Sequence, residues 1–423
     1  MNKNVIIVIG VLVLGLKGFS QQNTSSPYSY FGLGQVLFNG TQDIKAMGGL
    51  SIKADSIALN LSNPASYSEL KLTNFSVGGT SVFNKMKTET ASDNAKRTYL
   101  DYLAVGIPMG KFGASFGLMP YSSTGYRLAS NDTWTDPQDG QSFTVSQNFN
   151  GEGSINRVFG GFAYKFTKNI SFGINLEYNF GRITNEIYEK INGIQLGTRE
   201  INESQVKGFS SNFGLIYKEA LQNGHEIYSG FTYAPKANLT AVNSRNIATY
   251  AQASNGTVIT SDVVQFDLAD TKLVIPTKFS LGVGYGKRNK WMIGSEVTFS
   301  QNKNMTNRFV DIAQNYDYEN GQKYSIGGFY IPKYDSFSGI LNRAVYRAGF
   351  RYSKTGLVLN NKSIEDYGIN FGVGLPVGIS KIDLGFEFGQ RGTVYNGLIQ
   401  ENYFNISIGL SLADKWFQKT YID

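Results

Sequence analysis

Residues 170–181 read ISFGINLEYNFG and alternate strictly between apolar and polar or small side chains. A β-strand sends successive side chains to opposite faces of its sheet. One face of this strand would therefore be apolar from Ile170 to Phe180, and the other would carry Ser, Gly, Asn and Glu. About ten residues of such a strand suffice to cross a bilayer at a tilt. The segment predicts a membrane-crossing strand.

The same alternation recurs in residues 382–389 and 404–412. A soluble β-sandwich would alternate too, but three features favour a membrane barrel. The apolar faces have membrane-spanning length, the opposite faces are polar and glycine-rich as a lumen requires, and aromatics such as Trp291 lie near strand ends. The predicted fold class is therefore all-β, a transmembrane antiparallel β-barrel.

Composition narrows the function classes. The chain has 423 residues, no Cys and a single His, His225, so neither disulfides nor the usual zinc ligand sets are available, and a Ser-His-Asp site has little to build on. Its formal net charge of +7 comes from basic and acidic residues that alternate along the chain, which excludes a nucleic-acid surface. We predict a protein that is not an enzyme and that needs no cofactor, no metal and no nucleic-acid partner.

The N-terminus has the organisation of a secretory signal, with Lys3, then the apolar run 5–16, then a small-residue cleavage site at 18–20. The apolar run is too short to span a membrane, although an N-terminal anchor is the alternative interpretation. Residues 1–20 are predicted to be a signal peptide. An exported barrel implies the outer membrane of a Gram-negative bacterium, with outer-membrane lipids as its surroundings.

Alternation, together with short and long polar connections in turn, predicts about 14 strands, an even number as in other bacterial barrels. The long connections are expected near 86–96, 126–152, 191–200, 250–262 and 305–340. The predicted strands are 72–85, 97–109, 112–125, 153–167, 169–190, 201–219, 225–249, 263–286, 289–304, 341–353, 356–361, 365–375, 380–392 and 399–412.

Two segments do not fit the barrel pattern. Residues 21–71 are rich in Ser, Asn and Gly, and from the residues alone they could form either a periplasmic tail or a plug in the lumen. Residues 413–423 lie beyond the last alternating strand and are predicted to be a C-terminal periplasmic tail. The barrel itself is predicted to occupy 72–412.

The N-terminal segment resembles the FadL family of outer-membrane transporters. The resemblance rests on Gly32-Leu33-Gly34, Ala46-Met47-Gly48-Gly49, Ala58-Leu59-Asn60 and Asn63-Pro64-Ala65, and on a mid-barrel segment from Val274 to Gly282. It implies a 14-stranded barrel, a lumen hatch formed by residues 21–71, and uptake of hydrophobic molecules such as fatty acids. It also implies that the hatch motif comprises Asn63, Pro64, Ala65, Gly32, Gly34, Gly48 and Gly49.

The family has an inward kink in its third strand that opens the barrel wall. Pro120 interrupts the third predicted strand, and proline removes a ladder donor, so it belongs at an edge or a bulge. The resemblance therefore implies a lateral gap at Pro120, with an ordinary bulge as the alternative. The ligand-binding residues of the family cannot be located by motif.

Three functions remain open. The first is passive uptake of a hydrophobic small molecule with lateral release through the wall. The second is a structural or accessory barrel in a larger complex with other outer-membrane proteins, serving secretion, motility or barrel assembly. The third, an open diffusion porin, is disfavoured by the hatch. An aromatic-rich segment of the predicted loop 305–340 is a candidate surface for a ligand or a partner, through Tyr316, Tyr318, Tyr324, Phe329, Tyr330 and Tyr334.

Overall fold

The fold is seen in a computed structural model. It describes residues 24–138, 140–252, 257–308, 316–336 and 339–414. The predicted signal peptide, 1–20, lies outside the described residues. Of the predicted C-terminal tail, 413–423, residues 415–423 also lie outside the described residues, and residues 413 and 414 belong to the last strand, which ends at Asp414.

The wall is a closed antiparallel barrel of 14 strands, as predicted. Closure is made by the first and last wall strands, which pair from Thr73↔Asp414 to Lys87↔Gln400. In the part of the chain that the structure describes, no helix is long and apolar enough to cross a membrane.

The strands are numbered in chain order, and several wall strands are made of two or three consecutive pieces. They are β1 Gln35–Val36, β2 Thr73–Lys87, β3 Ser92–Met109, β4 Phe112–Thr135, β5 Ser142–Lys165, β6 Ile170–Ile191, β7 Gly197–Ala220, β8 His225–Ala234, β9 Ala237–Gln252, β10 Val258–Asp267, β11 Thr271–Ile275, β12 Lys278–Lys287, β13 Trp291–Ser300, β14 Tyr316–Tyr318, β15 Gly321–Tyr330, β16 Val345–Leu359, β17 Lys362–Val377, β18 Ser380–Arg391 and β19 Gln400–Asp414. The short helices are α1 Gln42–Lys45 and α2 Ile340–Arg343, and 3-10 turns include Pro27–Tyr30 and Pro64–Glu69.

The alternation that opened the sequence analysis is realised in β6. Phe172 and Leu176 are exposed on the outer face, whereas Asn175 and Glu177 are buried on the inner face. Because lipid surrounds the outer face, these apolar side chains are in their preferred solvent although they are exposed in the isolated barrel. The lumen face carries the polar side chains that the interior needs.

One side of the wall rises far above the membrane. β4, β5 and β7 each have 24 residues, more than twice the length needed for a crossing. The prediction of a loop over 126–152 is therefore wrong for most of its length, since β4 continues to Thr135 and β5 begins at Ser142. The polar composition suggested a loop because the upper parts of these strands lie above the bilayer, where neither face contacts lipid.

The predicted loop 305–340 is also wrong in its centre, because β14 and β15 lie within it. Tyr316 and Tyr318 are on β14, and Tyr324, Phe329 and Tyr330 are on β15, which leaves Tyr334 in a connection. The alternation of β15 is interrupted by Gly327 and Gly328. A Cβ on Gly327 would lie 2.4 Å from the carbonyl oxygen of Met47, so contact with the N-terminal segment requires glycine here. The same glycine breaks the alternation by which the strand would have been predicted.

The short strand predicted at 356–361 is wrong as well. β16 runs unbroken to Leu359 and turns at Asn360 and Asn361 into β17. Gly356, the first residue of that predicted strand, is the positive-φ residue of a bulge where the β16–β17 register shifts between Lys354 and Val358. One strand too many here offset one too few at β15, so the predicted total was still 14.

The described N-terminal residues fill the barrel. Seven side chains from this segment are fully or almost fully buried against the inner wall: Leu33, Ile44, Met47, Leu50, Ile52, Leu59 and Tyr67. Complete burial of an aliphatic side chain contributes roughly 1.5–3 kcal/mol. The segment is therefore a packed hatch inside the lumen, and we refer to residues 24–71 as the hatch.

Single cysteines can test the corrected topology, because the chain has none of its own. Trp134 is exposed near the tip of the β4–β5 hairpin, Ile326 faces lipid on β15, and Tyr334 is exposed after it. With a membrane-impermeant maleimide on intact cells, Trp134→Cys should react, and Ile326→Cys and Tyr334→Cys should not. After permeabilisation of the outer membrane, Tyr334→Cys alone of these two should become reactive. Reaction of both Ile326→Cys and Tyr334→Cys in intact cells would contradict this topology and favour the external loop predicted at 305–340.

Candidate functional site: the hatch, the lumen cavity and the third wall strand

The Asn63-Pro64-Ala65 motif lies at the base of the hatch and contacts three wall strands. Asn63 caps the 3-10 turn that begins at Pro64, its side-chain oxygen accepting a hydrogen bond from the Ala65 N–H at 3.1 Å. Its amide nitrogen donates to the carbonyl oxygens of Leu215 and Phe231, at 3.3 and 3.5 Å. Asn63 has no solvent exposure, so every polar atom of the side chain is committed to holding the turn on the wall.

The wall accommodates this turn through three lumen-facing glycines, which lie on β4, β6 and β7. A Cβ on Gly173 would lie 2.4 Å from the carbonyl carbon of Pro64, and one on Gly214 would lie 2.1 Å from the Asn63 side-chain oxygen. A Cβ on Gly113 would overlap the carbonyl of Tyr67. Since atoms cannot approach so closely, only glycine at these positions lets the hatch backbone contact the wall.

Glycines of the hatch motif serve a different requirement. Gly32, Gly34, Gly48 and Gly49 all have positive φ, from 57° to 89°. This left-handed region disfavours residues with a Cβ. The Gly-x-Gly and Gly-Gly spacings therefore record two sharp reversals of the hatch chain, one beside β4 and one after α1.

Charged side chains hold the top of α1 against the wall. Lys381 lies 3.2 Å from Asp43 of the hatch and 3.2 Å from Asp383, which also pairs with Arg347 at 2.8 Å. Burial by itself would raise the pKa of Asp43, but the charges of Lys381 and Arg347 outweigh it and hold that pKa well below its usual range. Asp43 is therefore ionised in the docked hatch and forms an ion pair with Lys381 of the wall.

A second polar attachment lies on β13. The Glu296 carboxylate accepts hydrogen bonds from the backbone N–H of Ser51 at 2.7 Å and from its hydroxyl at 2.8 Å. Hydrogen bonds to an ionised acceptor are stronger than neutral ones. The middle of the hatch is thus held by apolar packing and by charged contacts with β13 and β18.

The third wall strand, β4, departs from the regular ladder. It pairs with β3 only from Phe112↔Met109 to Leu118↔Leu103, and its pairing with β5 shifts register between Pro120 and Ser122. Beyond this bulge, Ser122 and Ser123 pair with hatch strand β1, and all residues 119–126 are buried. β4 therefore exchanges one ladder partner, β3, for the hatch.

This exchange leaves β3 residues 92–102 paired with β2 on one side and without a β4 partner in the described ladder on the other. We call this place the β3–β4 seam. Pro120 lies at its lower end, where a residue without an N–H interrupts no ladder hydrogen bond to β3. Tyr121 follows, and its ring lies 4.3 Å from the guanidinium of Arg157, a cation–π contact that holds the inward bend.

A cavity of about 500 Å³ occupies the lumen beside the hatch and reaches the seam. Its lining includes Tyr99 of β3, Met119 and Tyr121 of β4, and Val36 of β1. Val36 is half exposed although it lies inside the wall. Apolar side chains therefore line the cavity where it borders the seam.

The part of the cavity lined by β16 to β19 is charged. Arg351 pairs with Asp366 and Glu387, and Arg391 pairs with Asp366 and Glu401, at 2.8 to 3.4 Å. Buried ion pairs of this kind are costly to separate, because a lone charge would remain in a poorly solvated interior. Glu387, which the alternation in residues 382–389 places on the inner face, is part of this network.

The aromatic residues predicted as a loop surface do not lie together. Tyr316 and Tyr318 face the hatch, with Tyr316 at 5.5 Å from the ring of Phe31 and the Tyr318 hydroxyl donating to Asn307. Phe329 is buried under the Lys53 ammonium, at 4.4 Å. Tyr324, Tyr330 and Tyr334 are exposed. The six residues therefore do not form one shared surface for a ligand or a partner.

The only His, His225, also has a position of its own. It begins β8, and its ring stacks on Tyr285 at 5.2 Å, next to Trp291. These three rings belong to the lower rim, where aromatic side chains of barrels meet the membrane interface.

The BamG family model matches residues 1–423, the full length of the sequence. The chain belongs to the BamG family. No protein with a curated functional description matches it in sequence. Among solved structures, the BamG chain is similar to the toluene transporter TodX of P. putida, with 17% identity, a TM-score of 0.58 and coverage of 90% of this chain and 100% of that one.

Two further barrels have the same fold. A Pseudomonas aeruginosa FadL homologue gives a TM-score of 0.56 at 12% identity, covering 90% of the BamG chain and 98% of its own. The CymD monoaromatic hydrocarbon channel gives 0.54 at 13% identity, with 90% and 99% covered. The FadL resemblance predicted from the hatch motifs is thus confirmed at the level of fold.

Sequence reasoning missed the wall side of the site. Gly113, Gly173 and Gly214 were not predicted as site residues, and β1 was not predicted. Their signal was present as glycines on the inner face of three strands, but only knowledge of what lies inside the barrel distinguishes a docking position from a small lumen residue.

Replacement of Gly173 should unseat the hatch in the BamG chain. In Gly173→Val the new side chain meets the Pro64 backbone, which cannot move without losing the Asn63 hydrogen bonds. We expect hydrogen exchange over residues 60–69 to increase strongly in the folded, detergent-solubilised barrel. Gly160→Val is the matched control, because a Cβ there meets nothing within 4 Å. Equal protection in both variants would show that the contact does not hold the hatch.

Proposed function

We propose that this barrel takes up hydrophobic small molecules through the outer membrane and releases them sideways into the bilayer at the β3–β4 seam. The observation that carries the proposal is the exchange of ladder partners in β4. Because β4 pairs with hatch strand β1 above Leu118, the wall lacks a β3–β4 ladder where the lumen cavity touches it. A fully hydrogen-bonded wall would give a ligand no exit to lipid.

The composition of the cavity supports the same route. Its border with the seam carries Val36, Met119 and Tyr121, and the charged network lies on β16 to β19. Burial of apolar surface gains about 25 cal/mol per Å², so an apolar ligand would favour the seam side. The similar barrels include a toluene transporter and a hydrocarbon channel by their own descriptions, which agrees with an apolar substrate class.

Movement along this route would be downhill. The ligand would enter from outside, pass beside the hatch and leave where Pro120 ends the regular β4 pairing. In this proposal the hatch motif, Asn63, Pro64 and Ala65 with the four hatch glycines, fixes the segment that holds β4 inward. Pro120 marks the lower margin of the exit.

A bulky residue at the seam should block release. Val36 is half exposed at the seam, so Val36→Trp would fill the exit while leaving the β1 backbone pairing intact. With the purified protein in liposomes and dodecanoate as the probe, we expect uptake by this variant to fall to that of empty liposomes. Leu176→Trp, on the lipid-facing side of β6, is the matched control and should behave as wild type.

Two other outcomes are informative. Unchanged uptake by Val36→Trp would reject the seam as the exit while leaving uptake itself in place. Failure of the wild-type protein to exceed empty liposomes would reject uptake. A large steady current in planar bilayers would instead indicate an open pore.

A second function, an accessory barrel within a larger outer-membrane complex, is supported by the tall side of the wall. Strand β10 lies above the membrane and pairs with β9 in the described ladder, and all ten of its residues are exposed. Ile259, Val263 and Val264 are more than half exposed there, outside the lipid that accounts for apolar side chains lower in the wall. Edge strands with apolar side chains are surfaces on which other chains pair.

A photo-crosslinking residue at Val263 should therefore capture a defined protein in intact cells if this second function holds. The same residue at Leu176, which faces lipid, provides the control. A single adduct of constant mass at Val263, absent at Leu176, is the expected result. Lack of any adduct at Val263 would count against a partner on this strand.

A further inference from the structure

An aromatic row crosses the outer face of the barrel where its two ends meet. The register places Phe388, Phe404 and Phe83 opposite one another on β18, β19 and β2, with Lys96 next in line on β3. The Phe388 and Phe404 rings are 4.6 Å apart, and those of Phe404 and Phe83 are 6.1 Å apart. The Lys96 ammonium lies 5.0 Å from the Phe83 ring. Four neighbouring strands thus present one continuous surface.

The row forms the floor of a shallow groove with polar walls. The next level up is occupied by Asn402, Lys85 and Asn94 on three of the same strands. Lys85 and Lys96 are the charged residues that line the groove, and both are exposed and basic. In the described part of the chain, no carboxylate forms an ion pair with either. The groove therefore combines an apolar floor with an unneutralised positive rim.

The height of the row matches the outer boundary of the hydrocarbon layer. Phe83 lies ten residues above Thr73, where β2 begins at the lower rim. At about 3.3 Å per residue and a tilt near 40°, this is roughly 25 Å, the thickness of the apolar band of such barrels. Lys85 and Lys96 then lie at the level of the lipid headgroups, directly above acyl chains.

The opposite wall provides a contrast within the same molecule. There Tyr178, Phe180 and Phe209 form a similar aromatic cluster on β6 and β7. The Arg182 guanidinium beside it is already paired with Glu203, at 3.4 Å. Lys207, which pairs with Phe180 across the ladder and is exposed, forms no ion pair in the described part of the chain either. An aromatic girdle is common to barrels, and the closure side differs in placing two unpaired lysines in one groove.

We propose that this groove binds a phosphorylated lipid of the outer leaflet. The acyl chains would lie along Phe388, Phe404 and Phe83, continuing the lipid-facing wall, and the phosphate would lie between Lys85 and Lys96. Asn94 and Asn402 supply further donors at the same level. This site is on the outer surface and does not depend on transport through the lumen.

Native mass spectrometry of the detergent-solubilised full-length barrel can measure this binding, with diphosphorylated lipid A as the probe. Lys85→Gln/Lys96→Gln removes the rim from an exposed surface. At about 1 kcal/mol for each basic residue near an anionic lipid, we expect affinity to fall about 30-fold, equivalent to about 2 kcal/mol. Lys287→Gln/Lys290→Gln removes the same charge at the lower rim and should bind like wild type.

Phe388→Ala/Phe404→Ala should also weaken lipid A binding, since it removes the floor without changing charge. Heat-modifiable migration on gels confirms that each variant is folded. The proposal is overturned if the lysine variant binds as tightly as wild type, or if phosphatidylethanolamine binds equally well. It is also overturned if inorganic phosphate displaces lipid A as effectively as added lipid A does, or if crosslinks from Lys96→Cys join two copies of the barrel instead.

Discussion

The hydrogen-bond ladder that joins β19 to β2 is the constraint on which the rest of the structure depends. Backbone groups in the hydrocarbon layer have no water to bind, so a membrane sheet must close on itself. Fifteen residue pairs, from Thr73↔Asp414 to Lys87↔Gln400, make that closure. Once the wall is closed, it encloses a confined lumen. The segment that fills the lumen then determines which side chains fit on the inner face of the wall.

The hatch is what fills it, and its demands explain the glycines of the wall. Gly173, Gly214 and Gly327 lie where hatch backbone comes too close for any Cβ. Packing at this distance removes apolar hatch residues such as Leu33 and Ile52 from water and leaves few donors unused. Charged contacts at Asp43 and Glu296 then fix the orientation of the hatch, because each carboxylate meets its partner in only one position of the hatch relative to the wall.

β4 shows how the two systems depend on each other. A strand that leaves the ladder in the membrane needs a new partner for its backbone, and β1 of the hatch supplies it. The inward bend, the cation–π contact of Arg157 with Tyr121 and the buried serines beyond Pro120 follow from that exchange. The hatch is therefore part of the wall at this point, and the seam and the cavity beside it are consequences of one substitution of ladder partners.

The sequence by itself determined the fold class, because a period of two is set by the pleat of a strand. The predicted total of 14 strands agreed with the structure only because one strand too many offset one too few. Strand prediction from the sequence failed at β15 and at 353–361. Gly327 is required there by contact with the hatch, and Gly356 by a bulge, so neither follows the alternation of its own strand. Only the tertiary structure decided that Gly173 and Gly214 contact Asn63-Pro64-Ala65 of the hatch. It also decided that six aromatic residues of one segment face different surroundings. Finally, it placed Lys85 and Lys96 in a groove with Phe83, Phe388 and Phe404. These are relations between strands, fixed by register and closure, and no local pattern of residues encodes them.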